Sequence, residues 1–362
     1  MAPVKNPVVM IAGGGTGGHV YPALAIALAL KKKNPKVEIH FVGTQLGIET
    51  KLVPRENFPL HFLPVSGLKN TSLLARLRGL FRIPFSLVKS WQMLRQFKPE
   101  FVLGVGGYAS GPLLLVSALL GKRTAIWEPN AHPGLTNRIL SHFVNLAFIV
   151  FESSKATLKS KRVISLGMPL RLGMGPRPRD PHSKFRVLVF GGSLGARGIN
   201  NVVSDAITSG GDWTRSVEIV HQTGPLDFEK IKTKYEQSRS DVQVHPFLYD
   251  MQDRYAWADL VVCRSGASTV AEIASTHKAA IFIPFPHASD DHQKKNAEVL
   301  ARGGAAVLIE QKDFSPQKFI ELVERFSSHP EEIKLMEEKV KSYHRPNASE
   351  AISDIIIGEM AR

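Results

Sequence analysis

Read for hydrophobic and polar positions, the chain alternates short, continuous apolar runs with longer stretches of helical spacing. Residues 7–15, "PVVMIAGGG", read as a buried strand ending in glycines, and 21–33, "YPALAIALALKKK", as the helix after it, with a basic end. Strands follow at 37–44 ("VEIHFVGT"), 58–65 ("FPLHFLPV") and 100–107 ("EFVLGVGG"), then a helix at 111–121 ("GPLLLVSALLG") and strands at 123–130 and 146–151. Strands alternating with helices predict βαβ units and a mostly parallel sheet.

The pattern breaks at 166–184, "LGMPLRLGMGPRPRDPHSK", which is rich in proline and glycine and lacks apolar periodicity, as linkers do. It then restarts. "FRVLVFGGSLGARGIN" (185–200) repeats the strand, glycine loop and helix of the N-terminus, and apolar runs at 216–224, 242–248, 260–274, 279–286 and 305–310 continue the series. The fold class is therefore α/β: two similar halves with mostly parallel sheets, ligands being expected at the carboxyl ends of the strands in the cleft between them. A last helix, 347–360, is free to pack on either half.

The 362 residues suffice for two cores, and a formal charge of +14 calls for a polyanionic partner: nucleic acid, an anionic membrane surface or a phosphorylated substrate. The single cysteine, Cys263, excludes an internal disulfide, fits a reducing compartment and reads as a buried strand-end residue. No secretory signal is visible, and no apolar run reaches the roughly 18–20 residues that span a bilayer. The expected location is cytoplasmic, with any membrane contact peripheral.

Five glycines stand in the six positions 13–18, followed by His19. The spacing of Gly13, Gly15 and Gly18 matches a dinucleotide fingerprint, but "FVGTQ" (41–45) lacks the acid that would hold a ribose at the end of the second strand. A phosphate loop of the Walker type needs Lys and Ser/Thr where the chain has His19 and Val20. A tight turn alone would need one or two glycines. The remaining reading is a bare backbone whose N–H groups face a diphosphate, and similar loops recur at 104–111 and 191–198. In "CRSGASTVAEIA" (263–274), small hydroxyl residues open a helix; Thr269 and Glu272 fit either a capping box or a phosphate-and-ribose site. The His and Asp residues of 284–297 lack the helical spacing of a zinc motif, and no metal is expected there.

Together "GGGTGGHVYPALAIA", "GVGGYASGP", "WEPNAHPGLTNRIL", "GGSLGARGIN", "YAWADLVVCRSGASTVAEIA" and "PFPHASDDHQKKNA" resemble, in order and spacing, the MurG family, the peptidoglycan N-acetylglucosaminyltransferases. The resemblance covers nearly the whole chain. It implies a GT-B fold of two Rossmann-like α/β domains, with residues 1–167 as the acceptor and membrane-side domain, completed by 348–362, and 168–347 as the donor domain. It also implies inverting transfer of GlcNAc from UDP-GlcNAc to lipid I, the undecaprenyl-diphosphate-MurNAc-pentapeptide, giving lipid II without a cofactor. The donor residues it implies are Thr16, Gly17, Gly18, Asn130, Arg171, Ser193, Leu248, Ala267, Ser268, Thr269, Glu272 (the ribose carboxylate) and Gln293. His19 is the first choice for the base, with hydrogen bonding that shapes the loop as its rival role, and Glu128 is the reserve. The family commonly has His-Glu-Gln-Asn where this chain has "WEPN", so no role carries over to Trp127 or Pro129.

No acid occurs between Glu56 and Glu100, and 73–99 interleaves basic and apolar residues. Arg76, Arg78, Leu80, Phe81, Arg82, Phe85, Lys89 and Trp91 are the expected contacts with the anionic cytoplasmic face of the plasma membrane. The rival readings are a related transferase acting on diacylglycerol, an NAD oxidoreductase and a nucleic-acid binder; the last lacks a binding motif, so no nucleic-acid partner is expected.

Overall fold

The computed structural model describes residues 6–65, 73–170 and 173–362, with the side chains of the 73–97 helix described from residue 82. The chain divides into two units, Met1–Leu172 with Arg345–Arg362, and Gly173–His344.

In the first unit β1 (Val8–Gly13), α1 (Gly17–Lys33), β2 (Glu38–Gly43), α2 (Glu49–Arg55), β3 (Leu60–Phe62), α3 (Leu73–Phe97), β4 (Phe101–Gly106), α4 (Ser110–Leu119), β5 (Arg123–Glu128), α5 (Leu135–Leu140), β6 (Leu146–Ile149) and β7 (Arg162–Ser165) follow one another. The seven strands form a parallel sheet in the order β3-β2-β1-β4-β5-β6-β7. Val9 to Ala12 are wholly buried, as an apolar strand covered on both faces must be. Three lysines close α1, where cations oppose the carboxyl-end dipole. Strand β7 was not legible in the sequence: "RVIS" is a short, half-exposed edge with no alternation to mark it.

The second unit repeats the plan with β8 (Phe185–Phe190), α6 (Arg197–Thr208), β9 (Val217–Gln222), α7 (Phe228–Gln237), β10 (Val242–His245), α8 (Met251–Trp257), β11 (Leu260–Cys263), α9 (Ala267–Thr276), β12 (Ala279–Phe282), α10 (His292–Arg302), β13 (Val307–Leu308), α11 (Pro316–Ser328) and α12 (Pro330–Val340). Its parallel sheet has the order β10-β9-β8-β11-β12-β13. Helix α11 starts on Ser315, whose hydroxyl accepts from the Lys318 N–H at 3.1 Å, with Pro316 in its first turn. Its residues Phe319, Leu322, Val323 and Phe326 then enter the core. The closing helix α13 (Ala348–Met360) belongs to the first unit. It packs on α1, where Ser353 reaches the Ile26 carbonyl and Asp354 pairs with Lys33. Cys263 is fully buried, and burial with the nearby Glu272 carboxylate pushes its thiol well up, which leaves it unreactive.

Candidate active site

Each sheet reverses its winding beside its first strand, β1 in one unit and β8 in the other. Doubly wound sheets bind ligands at the carboxyl ends of the strands at such a reversal. In the first unit two glycine loops meet there. A Cβ on Gly13 would fall 2.2 Å from the Val105 side chain, and one on Gly14 would fall 2.1 Å from a Glu49 carboxylate oxygen. Gly15 holds φ +90°, a left-handed value that suits glycine. The loop after β4 is fastened to this one: a Cβ on Gly107 would lie 2.6 Å from the Gly14 carbonyl, and buried Ser110 donates to the Ala12 carbonyl at 2.7 Å. Three of the five glycines thus answer to packing and backbone geometry. This corrects the expectation of a wholly bare loop: Gly13 and Gly14 are buried, whereas Gly15 and Thr16 are exposed and Gly17 and Gly18 are half-buried at the start of α1.

His19 lies in the first turn of α1, its Nδ1 3.3 Å from the Gly14 carbonyl and its ring against Gly106, where a Cβ would fall 2.7 Å from Nε2. A proton on Nδ1 donated to that carbonyl leaves the ring's lone pair on Nε2. Beneath the loop, the Glu49 carboxylate is 1 % exposed. It accepts from the Gly15 N–H at 2.7 Å, the Thr44 N–H at 2.9 Å and the Thr44 hydroxyl at 2.9 Å.

Glu128, at the end of β5, is 2 % exposed. Its Oε1 accepts from the N–H and side-chain amide of Asn130 at 2.9 and 3.0 Å; its Oε2 accepts from the Gly134 N–H at 3.1 Å and the Asn137 amide at 2.9 Å. Burial pushes its carboxyl up, and these hydrogen bonds pull the other way. A carboxylate enclosed by four donors from its own loop is arranged to shape residues 128–137, and this geometry speaks against the reserve role of base. Asn130 is thereby anchored, with the Ser154 hydroxyl on its carbonyl at 2.6 Å.

In the second unit a cavity of about 820 Å³ opens beside the 191–198 loop. Its lining includes Arg197, Arg264, His287, Gln293 and Gln311, and among the described residues no Asp or Glu. Arg264 is 7 % exposed; its guanidinium donates to the carbonyls of Ile283 and Pro284 at 2.9 Å each and to the Gln311 side chain, all neutral acceptors, and stacks over Phe285. Burial lowers its pKa to about 10, so it remains a cation at neutral pH. Behind the loop, buried Asn200 donates to the Thr223 carbonyl at 2.8 Å and to Asp227 at 3.0 Å. Its own carbonyl lies 3.2 Å from Nε2 of His221, whose Nδ1 is 2.7 Å from the Tyr235 hydroxyl. Thr223 in turn backs the loop, since a Cβ on Gly195 would fall 1.8 Å from its carbonyl.

Ser193 is exposed at the tip of that loop. Ala267, Ser268 and Thr269 form the first turn of α9, whose N-cap is Gly266. Thr269 is therefore inside the helix, and the capping-box reading of Thr269 and Glu272 fails. Glu272 accepts from the Tyr255 hydroxyl at 2.8 Å. Leu248 is buried, and the Gln293 side chain accepts from the Phe285 N–H at 3.0 Å. Arg171 lies outside the described residues, as do the side chains of Arg76, Arg78, Leu80 and Phe81. The rest of α3 turns small side chains inward, Ser86 and Ser90, with Met93 and Leu94, and leaves Phe85 71 % and Trp91 41 % exposed beside Arg82, Lys89 and Arg95. Among the described residues no helix is long and apolar enough to cross a membrane. Sequence reasoning missed Glu49, Arg264 and Gln311. The available signals were a lone acid between Gly43 and Glu56, and an arginine within an otherwise small-residue motif.

Residues 9–149 match the model of the glycosyltransferase family 28 N-terminal domain, and 186–352 that of the family 28 C-terminal domain. A protein of Bdellovibrio bacteriovorus named UDP-N-acetylglucosamine--N-acetylmuramyl-(pentapeptide) pyrophosphoryl-undecaprenol N-acetylglucosamine transferase is 45% identical over 98% of this chain and 99% of its own. A protein of Myxococcus xanthus with the same name is 43% identical over 98% and 93%. The crystal structure of Acinetobacter baumannii MurG superposes with a TM-score of 0.79 at 31% identity, covering 97% of this chain and 99% of that one. With two family domains in order, near-full-length identity and a shared two-sheet GT-B fold, the chain belongs to the MurG family of glycosyltransferases.

Proposed function

We propose that the chain transfers GlcNAc from UDP-GlcNAc to lipid I, forming lipid II for peptidoglycan. The observation that carries this is 45% identity over essentially the whole length of a relative bearing that activity in its name. The site chemistry fits it. The acceptor hydroxyl oxygen attacks the anomeric carbon, the bond from that carbon to the diphosphate oxygen breaks, and UDP leaves with the electron pair from the opposite face. The hydroxyl proton passes to Nε2 of His19, while Gly14 holds the other ring nitrogen. Charge on the departing diphosphate is met by Arg264, by the Ser193 loop and by the N–H groups opening α9. Thr16, Gly17, Gly18, Asn130, Arg171, Leu248, Glu272 and Gln293 contact the donor in this reading.

The protein acts as a peripheral enzyme of the cytoplasmic face of the plasma membrane. Phe85, Val88 and Trp91 project outward among Arg82, Lys89 and Arg95, an outer face suited to anionic lipid. Each basic residue near such a surface contributes about 1 kcal/mol. The test is incubation with labelled UDP-GlcNAc and lipid I: labelled lipid II supports the proposal, and its absence with folded protein refutes it.

A further inference from the structure

We propose that Glu49 is a positioning residue of the transfer site, its buried carboxylate holding the 13–18 loop in shape and so fixing His19; this rests on the function proposed above. Three observations meet at this side chain. Its two oxygens accept three hydrogen bonds, from Gly15 and Thr44. It is 1 % exposed, and no ion pair of Glu49 stands among those of the described residues, so backbone and hydroxyl dipoles carry its stabilisation. It also fills the space that a side chain on Gly14, Gly43 or Gly47 would need: Cβ atoms there would fall 2.1, 2.8 and 1.8 Å from its atoms. Three glycines thus make room for one carboxylate.

Two consequences follow for the loop. The Gly15 N–H already has an anion, supplied by the protein, so it is not a donor to a substrate phosphate. The Gly14 carbonyl, one residue away, is the acceptor for Nδ1 of His19. Glu49 therefore acts on the imidazole through the Gly14–Gly15 peptide, and the loop is set before substrate arrives. A misplacement of about 1 Å at a reacting group costs about 10²-fold in rate.

The isosteric Glu49→Gln and the charge-keeping Glu49→Asp together test this. Gln keeps the volume but turns an N–H₂ toward one of the donors, whereas Asp keeps the charge at shorter reach. E49Q should lower kcat for lipid II formation 10- to 100-fold, with KM for UDP-GlcNAc within about threefold of wild type. E49D should recover part of the loss. Hydrogen exchange of the peptide containing Gly15 should quicken in E49Q at least tenfold, with strand β4 unaffected, and this readout needs no activity. Should E49Q fail to fold, Thr44→Val removes one donor and should lower kcat three- to tenfold. Wild-type kcat in E49Q, or in T44V where that variant decides, overturns the proposal, as does a kcat loss with unchanged Gly15 exchange. Absence of transfer by wild-type protein would instead refute the function, leaving the exchange result to judge Glu49.

Discussion

His221 offers a quantitative test of how the donor-side loop is supported. It is fully buried, and desolvation drops its pKa from 6.5 to about 3, so it is neutral in the folded protein across the physiological range. In the unfolded chain the same imidazole titrates near 6.5. The unfolded state therefore binds the extra proton: the contribution is fully present above pH 6.5 and is lost as pH falls toward 3. With a depressed folded pKa, the loss by pH 5 is RT ln(1 + 10^1.5), about 2 kcal/mol, approaching about 1.4 kcal/mol per further pH unit. His221→Gln preserves a donor and an acceptor toward Tyr235 and Asn200 without a titrating group. Urea unfolding of both proteins at pH 7.5, 6.5, 5.5 and 5.0 isolates the difference, because the other titrating groups are common to both. Wild type should lose about 2 kcal/mol more than H221Q between pH 7.5 and 5. Parallel losses would refute the reasoning, and would mean that the histidine finds water or another partner when protonated.

Four further outcomes are expected. His19→Ala should lower kcat by about 10²-fold or more at unchanged UDP affinity, and wild-type turnover would remove it as base. Glu128→Gln should strand buried donors at about 1–3 kcal/mol each and lower the melting temperature; a variant of wild-type stability with activity alone abolished would return Glu128 to the chemistry. Arg264→Met should weaken UDP binding by about 10²-fold in calorimetry, with Lys restoring part, and an unchanged affinity would show that the cation does not face the phosphates. The double variant F85E/W91E should lose sedimentation with anionic vesicles; equal binding of wild type to neutral vesicles would remove the electrostatic part of the membrane reading.

The βαβ alternation was legible because parallel strands buried on both faces read as unbroken apolar runs, Val8 to Ala12 and Leu260 to Cys263 among them. Strand β7 was not, because a half-exposed edge of four residues carries no such run. The glycine loops could be located from sequence, but their meaning could not. Spacing does not distinguish a glycine that faces a ligand from one that faces Glu49 or Val105, since both demand the absence of a side chain. Long-range partners carry no local signal either: Glu49 is thirty-four positions from Gly15, and Arg264 is forty-seven from Gln311. The same limit explains the misread Thr269–Glu272 pair, because a capping box depends on where the helix starts and Gly266 starts this one.

The two units share a strand order yet place opposite charges at the first glycine loop. In one unit a buried anion, Glu49, takes up the Gly15 N–H. In the other a buried cation, Arg264, is held by neutral acceptors beside the loop that opens with Gly191. A phosphate brought to the Glu49 loop meets a like charge and one donor fewer, whereas at the Arg264 loop it supplies a counter-ion to a guanidinium whose acceptors among the described residues are neutral. Within the proposed function, the charges support an unequal division of labour, with the diphosphate of the donor assigned to Arg264 and the loop over Glu49 assigned to hold the imidazole for a neutral hydroxyl. Exchanging the two charges, by Glu49→Lys and Arg264→Glu, should therefore abolish UDP binding through the second substitution. The first should lower turnover more than UDP affinity, and calorimetry beside turnover on the two single variants separates the effects.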